Sequence, residues 1–346
     1  MFNRLVAKLI DWLVAILIVC VLLWFFITQP IFPVQSAGGL PQPNQTNLKN
    51  HVINLRKLAN SQQLMEDSLS TDSYIFSYLS RIGKPTKQSF AGMSGRYNNI
   101  SLLIGSKAAK RIVIGVQYSP PKGNTKQPWN PSGIAALLET ARVFGASKDK
   151  LPVAVELVAY ATAGMVSNGT LDMGSFHHAK ALKKKRVDLL LMLALRSVGY
   201  YRSDAYTQQY PFSFMRMLYP DTADFISLSS RLEDFRTIRS VKKSFSRVPE
   251  MLVESVSAPE IFPLVGGADH ENYWVHNFSA LQVSDLLEYR LPKRVSANKT
   301  RSLDYQKMSH LIQALYQTVL DSNNTEKDNE EGVMSGILEK ITALFN

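Results

Sequence analysis

The chain has 346 residues, 45% of them apolar, with 39 Lys and Arg against 28 Asp and Glu and a single cysteine. That apolar share is ordinary for a globular protein, the length suits one large domain or two small ones, and one cysteine excludes a disulfide scaffold. The formal charge of +11 fits anionic lipid, an acidic partner or a solvated surface of skewed sign, and no nucleic-acid motif accompanies it.

Residues 12–28 carry no charge and are almost wholly apolar, with Arg4 and Lys8 before them and Gln29-Pro30 after. This is about the shortest helix that crosses a bilayer, and a cleaved signal peptide has a shorter apolar core. The reading is a signal anchor: residues 1–33 form a cytoplasmic stub and a single transmembrane helix. The preceding positive charges keep the N-terminus in the cytoplasm, so the rest of the chain lies outside. Cys20 lies inside the span, so the exported part has no thiol to oxidise. An inner (plasma) membrane protein with a periplasmic or otherwise extracytoplasmic domain is expected. Residues 34–46, rich in proline, glycine and polar residues, read as a linker.

Helix period marks residues 47–60 and 72–81, followed by strand-like runs at 87–91 and 99–104. Residues 111–116 form an apolar, β-branched run that stops abruptly, as a strand buried on both faces does. Residues 132–144 have helix period, with Asn130 or Ser132 as N-cap, Pro131 early in the first turn and Gly145 as C-cap. Residues 153–160 are a second buried strand, completing a strand, helix, strand unit. A helix ending in Lys183-Lys184-Lys185-Arg186 leads into a strand at 187–195. Residues 211–218 and 222–245 read as helical, and 252–256 and 279–284 as strands. A helix follows from 303 to 320. Residues 321–332 form an acid-rich linker and 333–345 a short amphipathic helix.

These residues, in order and spacing, resemble the co-catalytic zinc exopeptidases of the bacterial aminopeptidase type, whose fold also serves glutaminyl cyclases. The resemblance spans roughly residues 47–320. It implies an α/β fold, a mostly parallel central sheet with helices on both faces in three layers. Tyr97 and Asn98 resemble an aromatic-Asn pair at the family's strand start. The Asn130-Pro131-Ser132-Gly133 stretch matches the family's Asn-x-Ser-Gly. Gly266-Gly267-Ala268-Asp269-His270, followed by Tyr273-Trp274, resembles Gly-Ser-Asp-His and its aromatic pair beside the substrate pocket.

The ligand positions differ. Gln117, Tyr118 and Ser119 stand at His-Tyr-Asp. Pro128 and Trp129 stand at the paired aspartates, Ala163 and Gly164 at the paired glutamates, Arg196 at an acidic ligand and Arg294 at the last histidine. The family's reaction needs two zinc ions with about four ligands each and a glutamate base. The resemblance therefore implies a pseudo-peptidase with no cofactor and no metal. It would be a membrane-anchored binding or scaffold subunit with a protein partner in a membrane complex, or a fold kept as structure only. The alternative is a zinc-dependent metallopeptidase with a displaced site. Arg196, Arg294, Asp269 and His270 are the candidates for a pocket taking a peptide carboxylate or another anion. Asp269 and His270 are otherwise loop-holding residues.

Overall fold

The computed structural model describes residues 34–63, 70–92, 95–106, 110–118, 130–162, 172–290 and 302–330, with scattered positions between 6 and 22. Strands β1 (Thr86–Gly92), β2 (Gly95–Ile104), β3 (Arg111–Gln117), β4 (Ala154–Tyr160), β5 (Leu189–Leu195), β6 (Ile226–Ser230), β7 (Val253–Ser257) and β8 (Ala280–Ser284) form one sheet. Their order is β1-β2-β4-β3-β5-β8-β6-β7. The central run β4-β3-β5-β8 is parallel. At the margins β2 pairs antiparallel with β1 and β4, and β6 antiparallel with β8 but parallel with β7. The sheet is therefore mixed, with the parallel centre that was expected.

Helices α1 (Gln45–Gln63), α2 (Thr71–Ser80), α3 (Pro131–Ala146), α4 (Gly174–Lys184), α5 (Phe235–Ser246), α6 (Glu271–Trp274) and α7 (Tyr305–Glu330) cover both faces. Successive strand side chains point to opposite faces, and this splits the interior in two. Ile112, Ile114, Leu157, Leu193, Leu281 and Val283 join a core with α1, α2, α3, α5 and α7. Val113, Val158, Tyr160, Met192 and Ala194 join a second with α4 and α6. Central strands covered on both faces have no polar side to show, which is why their sequences read as continuous apolar runs. Helix α7 is mostly buried between residues 308 and 322. Leu311, Ile312, Leu315 and Val319 are fully enclosed, each contributing roughly 1.5–3 kcal/mol.

Several local expectations change. Gly145 lies inside α3, whose C-cap is Ser147. Its bare Cα serves packing, because a Cβ there would stand 2.6 Å from the Ile82 side chain. Residues 222–245 are not one helix: β6 occupies 226–230, and α5 begins only at Phe235. Ser227, Ser229 and Ser230 are buried within the sheet, where their backbones gain ladder partners that outweigh local helix preference. Residues 213–217 form a 3-10 turn rather than a longer helix. Helix α7 runs on to Glu330, through most of the expected linker at 321–332. The amphipathic run 333–345 lies outside the described residues.

The stretch 34–46 is fastened to the domain. The Ala37 amide donates to the Arg247 carbonyl at 2.8 Å, Gln313 Nε2 to the Pro41 carbonyl at 3.0 Å, and the Asn44 amide to Glu139 Oε1 at 2.6 Å. Among the described residues no helix is long and apolar enough to cross a membrane. Most of the expected span at 12–28 lies outside them. Positions 12–16, 18, 19 and 22 are helical, and their side chains are exposed.

Candidate functional site

The parallel strands end together at one edge of the sheet: β3 at Gln117, β4 at Tyr160, β5 at Leu195 and β8 at Ser284. The Asn130-Pro131-Ser132-Gly133 stretch builds the wall beside β5. Asn130 caps α3 by accepting from the Gly133 amide at 2.8 Å, and its amide nitrogen donates to the Leu195 carbonyl at 3.3 Å. Ser132 Oγ accepts from the Val198 amide at 3.2 Å. Gly133 lies so close that a Cβ would meet the Arg196 carbonyl at 2.7 Å. The cap therefore grips the chain at the end of β5 as well as its own helix.

The segment leaving β5 is gripped from the other side by Asp285, the first residue after β8. Asp285 Oδ2 accepts from the Gly199 and Tyr200 amides at 2.9 and 2.8 Å. Burial raises its carboxyl above the ordinary range, against the pull of Arg290 and these amides. Arg290 donates to the Tyr200 carbonyl, to the Phe225 carbonyl at 2.5 Å and to Gln208 Oε1 at 3.1 Å. Its guanidinium lies 5.3 and 5.5 Å from the Tyr201 and Phe225 ring centres.

Arg196 stands in this frame, its amide bonded to the Val283 carbonyl at 2.9 Å. Its guanidinium is 3.4 Å from Glu288 Oε1, and both side chains are partly open to solvent. Glu288, absent from the expected site, is the direct acidic partner in place of Asp269. A Cβ built on Gly267 would stand 3.7 Å from Arg196 Nη1, so the 266–270 loop approaches the guanidinium with a bare backbone.

Behind that loop, Asp269 Oδ1 accepts from Ser175 Oγ at 2.6 Å, and Asn272 Nδ2 donates to the same Ser175 oxygen at 2.8 Å. Burial pushes the Asp269 carboxyl up to about 6, partly countered by the Ser175 bond and the Arg196 charge. Burial holds the His270 ring down to about 4. The bond to the Val265 carbonyl opposes this and Arg196 adds to it. That carbonyl lies 2.7 Å from His270 Nε2, which therefore carries the proton. Nδ1 is a buried acceptor with no hydrogen-bond partner among the described residues. Arg196, Asp269 and His270 are thus brought together, and Gln117 ends the strand next to that of Arg196. Ser119, Pro128, Ala163, Gly164 and Arg294 lie outside the described residues.

Two buried constructions support this edge. Asn99, one residue beyond the expected Tyr97-Asn98 pair, accepts from the Ala161 amide at 3.2 Å and donates to the Gly174 carbonyl at 2.8 Å. Under α4 and α6, Tyr160 and Tyr273 hydroxyls meet at 2.7 Å, and Tyr273 meets His178 Nδ1 at 2.6 Å. His178 Nε2 lies 3.3 Å from Glu156 Oε1, and Arg111 donates to Glu156 Oε2 at 2.7 Å. Burial alone would raise Glu156, but the bond and charge of His178, together with Arg111, outweigh it and hold the carboxyl at about 2.

Zinc ions of the kind the fold family uses do not fit the residues described. The β3 position offers a neutral amide, and the β5 position a guanidinium already paired with a carboxylate. Among the described residues no group of three His, Cys, Asp or Glu side chains is placed to hold a metal ion.

The comparisons agree with this architecture. The chain is 31% identical over 254 residues to the uncharacterized protein YfbL of Escherichia coli, covering 71% of this chain and 77% of that protein. No family model matches. Among solved structures, the LapA aminopeptidase of Legionella pneumophila superposes with a TM-score of 0.55 at 14% identity, over 81% of this chain and 71% of that one. A Bacteroides thetaiotaomicron glutaminyl cyclase bound to N-acetylhistamine gives 0.56 at 13%, over 82% and 99%. A Zn-dependent exopeptidase from Parabacteroides distasonis gives 0.54 at 14%, over 82% and 98%.

Proposed function

Because the chain belongs to the family of the Escherichia coli protein YfbL and has the zinc-dependent exopeptidase fold, we propose that it is a membrane-anchored, extracytoplasmic and non-catalytic member of that fold. It binds a ligand or a protein partner where relatives of the fold carry out hydrolysis. The observation that carries this reading is the Arg196–Glu288 ion pair at 3.4 Å. A fixed positive charge at a ligand position repels a divalent ion, and its carboxylate partner is engaged. The same guanidinium, partly open beside the backbone of Gly267, suits a forked contact with a carboxylate or phosphate. Arg294 is the second proposed cation of that pocket. The apolar residues described between 12 and 22 support the anchor, since Trp12, Leu13, Ile16 and Val19 are all exposed and need an apolar surrounding.

The test is metal content and peptidase activity of the full chain after incubation with zinc, beside binding of a short peptide and inorganic phosphate. The expected result is far less than one zinc per chain, no amino-acid release, and anion binding weakened at least tenfold by Arg196→Ala. One or two tightly held zinc ions with amino-acid release would instead establish a metallopeptidase with a displaced site.

A further inference from the structure

The N-terminal strap does more than join an anchor to a domain: its path selects one face of the molecule. From Ala37, bonded at the C-terminal end of α5, it crosses α7 at Pro41, where Gln313 holds it, and reaches Glu139 of α3 just before α1 begins. Leu40 packs against the core on the way. The two helices that flank this path contain no acidic residue. Helix α1 reads QTNLKNHVINLRKLANSQQ and α5 reads FRTIRSVKKSFS. Lys49, Lys57, Arg236 and Lys243 are exposed, and Arg56 and Arg239 are half-buried beside them. The acids around α5 are Glu233 and Glu250, which bracket it, Asp321, which pairs with Arg247 at 2.6 Å, and Glu254 of β7, which pairs with the buried Lys242 at 3.4 Å.

We propose that this α1/α5 surface lies against the anionic phosphate headgroups of the bilayer that holds the N-terminal helix. The proposal rests on the anchor reading above and adds to it an orientation and a lipid preference. Charge alone does not choose the face, because the end of α4, with Lys180, Lys183, Lys184 and Arg186 exposed on the opposite side of the sheet, is basic too. The tether decides. From residue 28 to the first fastened position at 37, a fully extended chain reaches at most about 30 Å. A domain of this size is roughly 50 Å across. The α4 face, on the far side from the strap, is out of reach of the membrane, whereas the α1/α5 face is carried against it. Basic side chains within a Debye length of an anionic surface are drawn to it, and the attraction weakens with salt. The same orientation leaves the α4/α6 side free for a partner.

The experiment uses the full chain with Cys20→Ser, reconstituted into nanodiscs of phosphatidylethanolamine with phosphatidylglycerol, or of phosphatidylcholine alone. A donor dye on Lys57→Cys or Lys183→Cys is read against an acceptor on lipid headgroups. The expected result is strong transfer from position 57 and several-fold weaker transfer from position 183. The position-57 signal should fall at least twofold in phosphatidylcholine, in 0.5 M salt, or in the Arg236→Glu, Arg239→Glu, Lys243→Glu variant. Equal transfer from both faces, or transfer indifferent to lipid charge and to the triple variant, overturns the proposal while leaving the anchor intact. A chain released from the discs by alkaline carbonate ends the anchor reading, and this proposal with it.

Discussion

Asn99 and Gly174 are 75 residues apart, yet the Asn99 side chain donates to the Gly174 carbonyl at 2.8 Å. The contact is so close that a Cβ on Gly174 would fall 1.9 Å from Asn99 Oδ1. With the Thr162–Met173 bridge, this clamp fixes both ends of the segment that contains Ala163 and Gly164. Asn99→Ala leaves the buried Ala161 amide without its acceptor and should cost about 2 kcal/mol. Gly174→Ala should cost a similar amount by overlap. The double variant should be less damaged than the sum, because removing the Asn99 side chain makes room for the methyl. Strict additivity in urea unfolding would contradict the clamp.

Gly133→Ala should both loosen the α3 cap and move Arg196. Its Cβ would meet Asn130 Nδ2 at 2.4 Å and the Arg196 carbonyl at 2.7 Å. A loss of about 2 kcal/mol is expected, near the upper end for a lost cap. Anion binding should weaken together with stability. Retained binding at wild-type strength would mean that the cap does not set the Arg196 position.

Acid should destabilise the fold well before ordinary carboxylates titrate. His270 and His51 are each lowered from 6.5 to about 4, chiefly by burial. The folded state resists their protonation, so their contribution is full above pH 6.5 and is lost as pH falls towards 4, about 3 kcal/mol each. Asp269, raised by burial from 3.8 to about 6, works the other way. Its contribution is full below pH 3.8 and is lost as pH rises through 6, again about 3 kcal/mol. Two groups outweigh one, leaving a net loss of about 3 kcal/mol between pH 6.5 and 4. The denaturant midpoint should fall over that window, and His51→Phe should flatten it. A midpoint that rises on acidification would reverse the assignment.

Glu156→Gln removes the carboxylate that Arg111 and His178 share. Breaking a buried charge pair by deleting one partner costs about 3–5 kcal/mol. Because α4 and α6 are bonded into this chain of groups through His178 and Tyr273, the loss should also loosen Asp269. Hydrogen exchange across 265–275 would report it. A variant as stable as wild type would mean that solvent, rather than Glu156, balances Arg111.

Much of the architecture was legible because it is written locally. Runs such as 111–117 and 154–160 are apolar on both sides, and Pro131 with Asn130 marks a helix start whatever surrounds it. Strand β6 was not legible: its serines follow a short apolar period that suits either state, and only β7 and β8 settle it. The site was legible in its frame and not in its charges. Glu288 and Asp285 meet Arg196 and Gly199 across the sheet, the latter pair 86 residues apart, and no local pattern announces such a pairing. An acid directly after a strand was the one available signal.

The strand order has a consequence for how this chain is made. β8 is the last strand in sequence, yet it sits between β5 and β6. A chain emerging N-terminus first can pair β1 through β5, and separately β6 with β7, but these two halves have no seam until residue 284 arrives. Until then β5 and β6 present open edges, and the core beneath α7 stays uncovered for some forty residues more. Long-range closure of this kind is slow and exposes the nascent protein to aggregation. Truncation between β7 and β8 should therefore yield two unjoined fragments of sheet for a chaperone or a protease, rather than a smaller version of the domain.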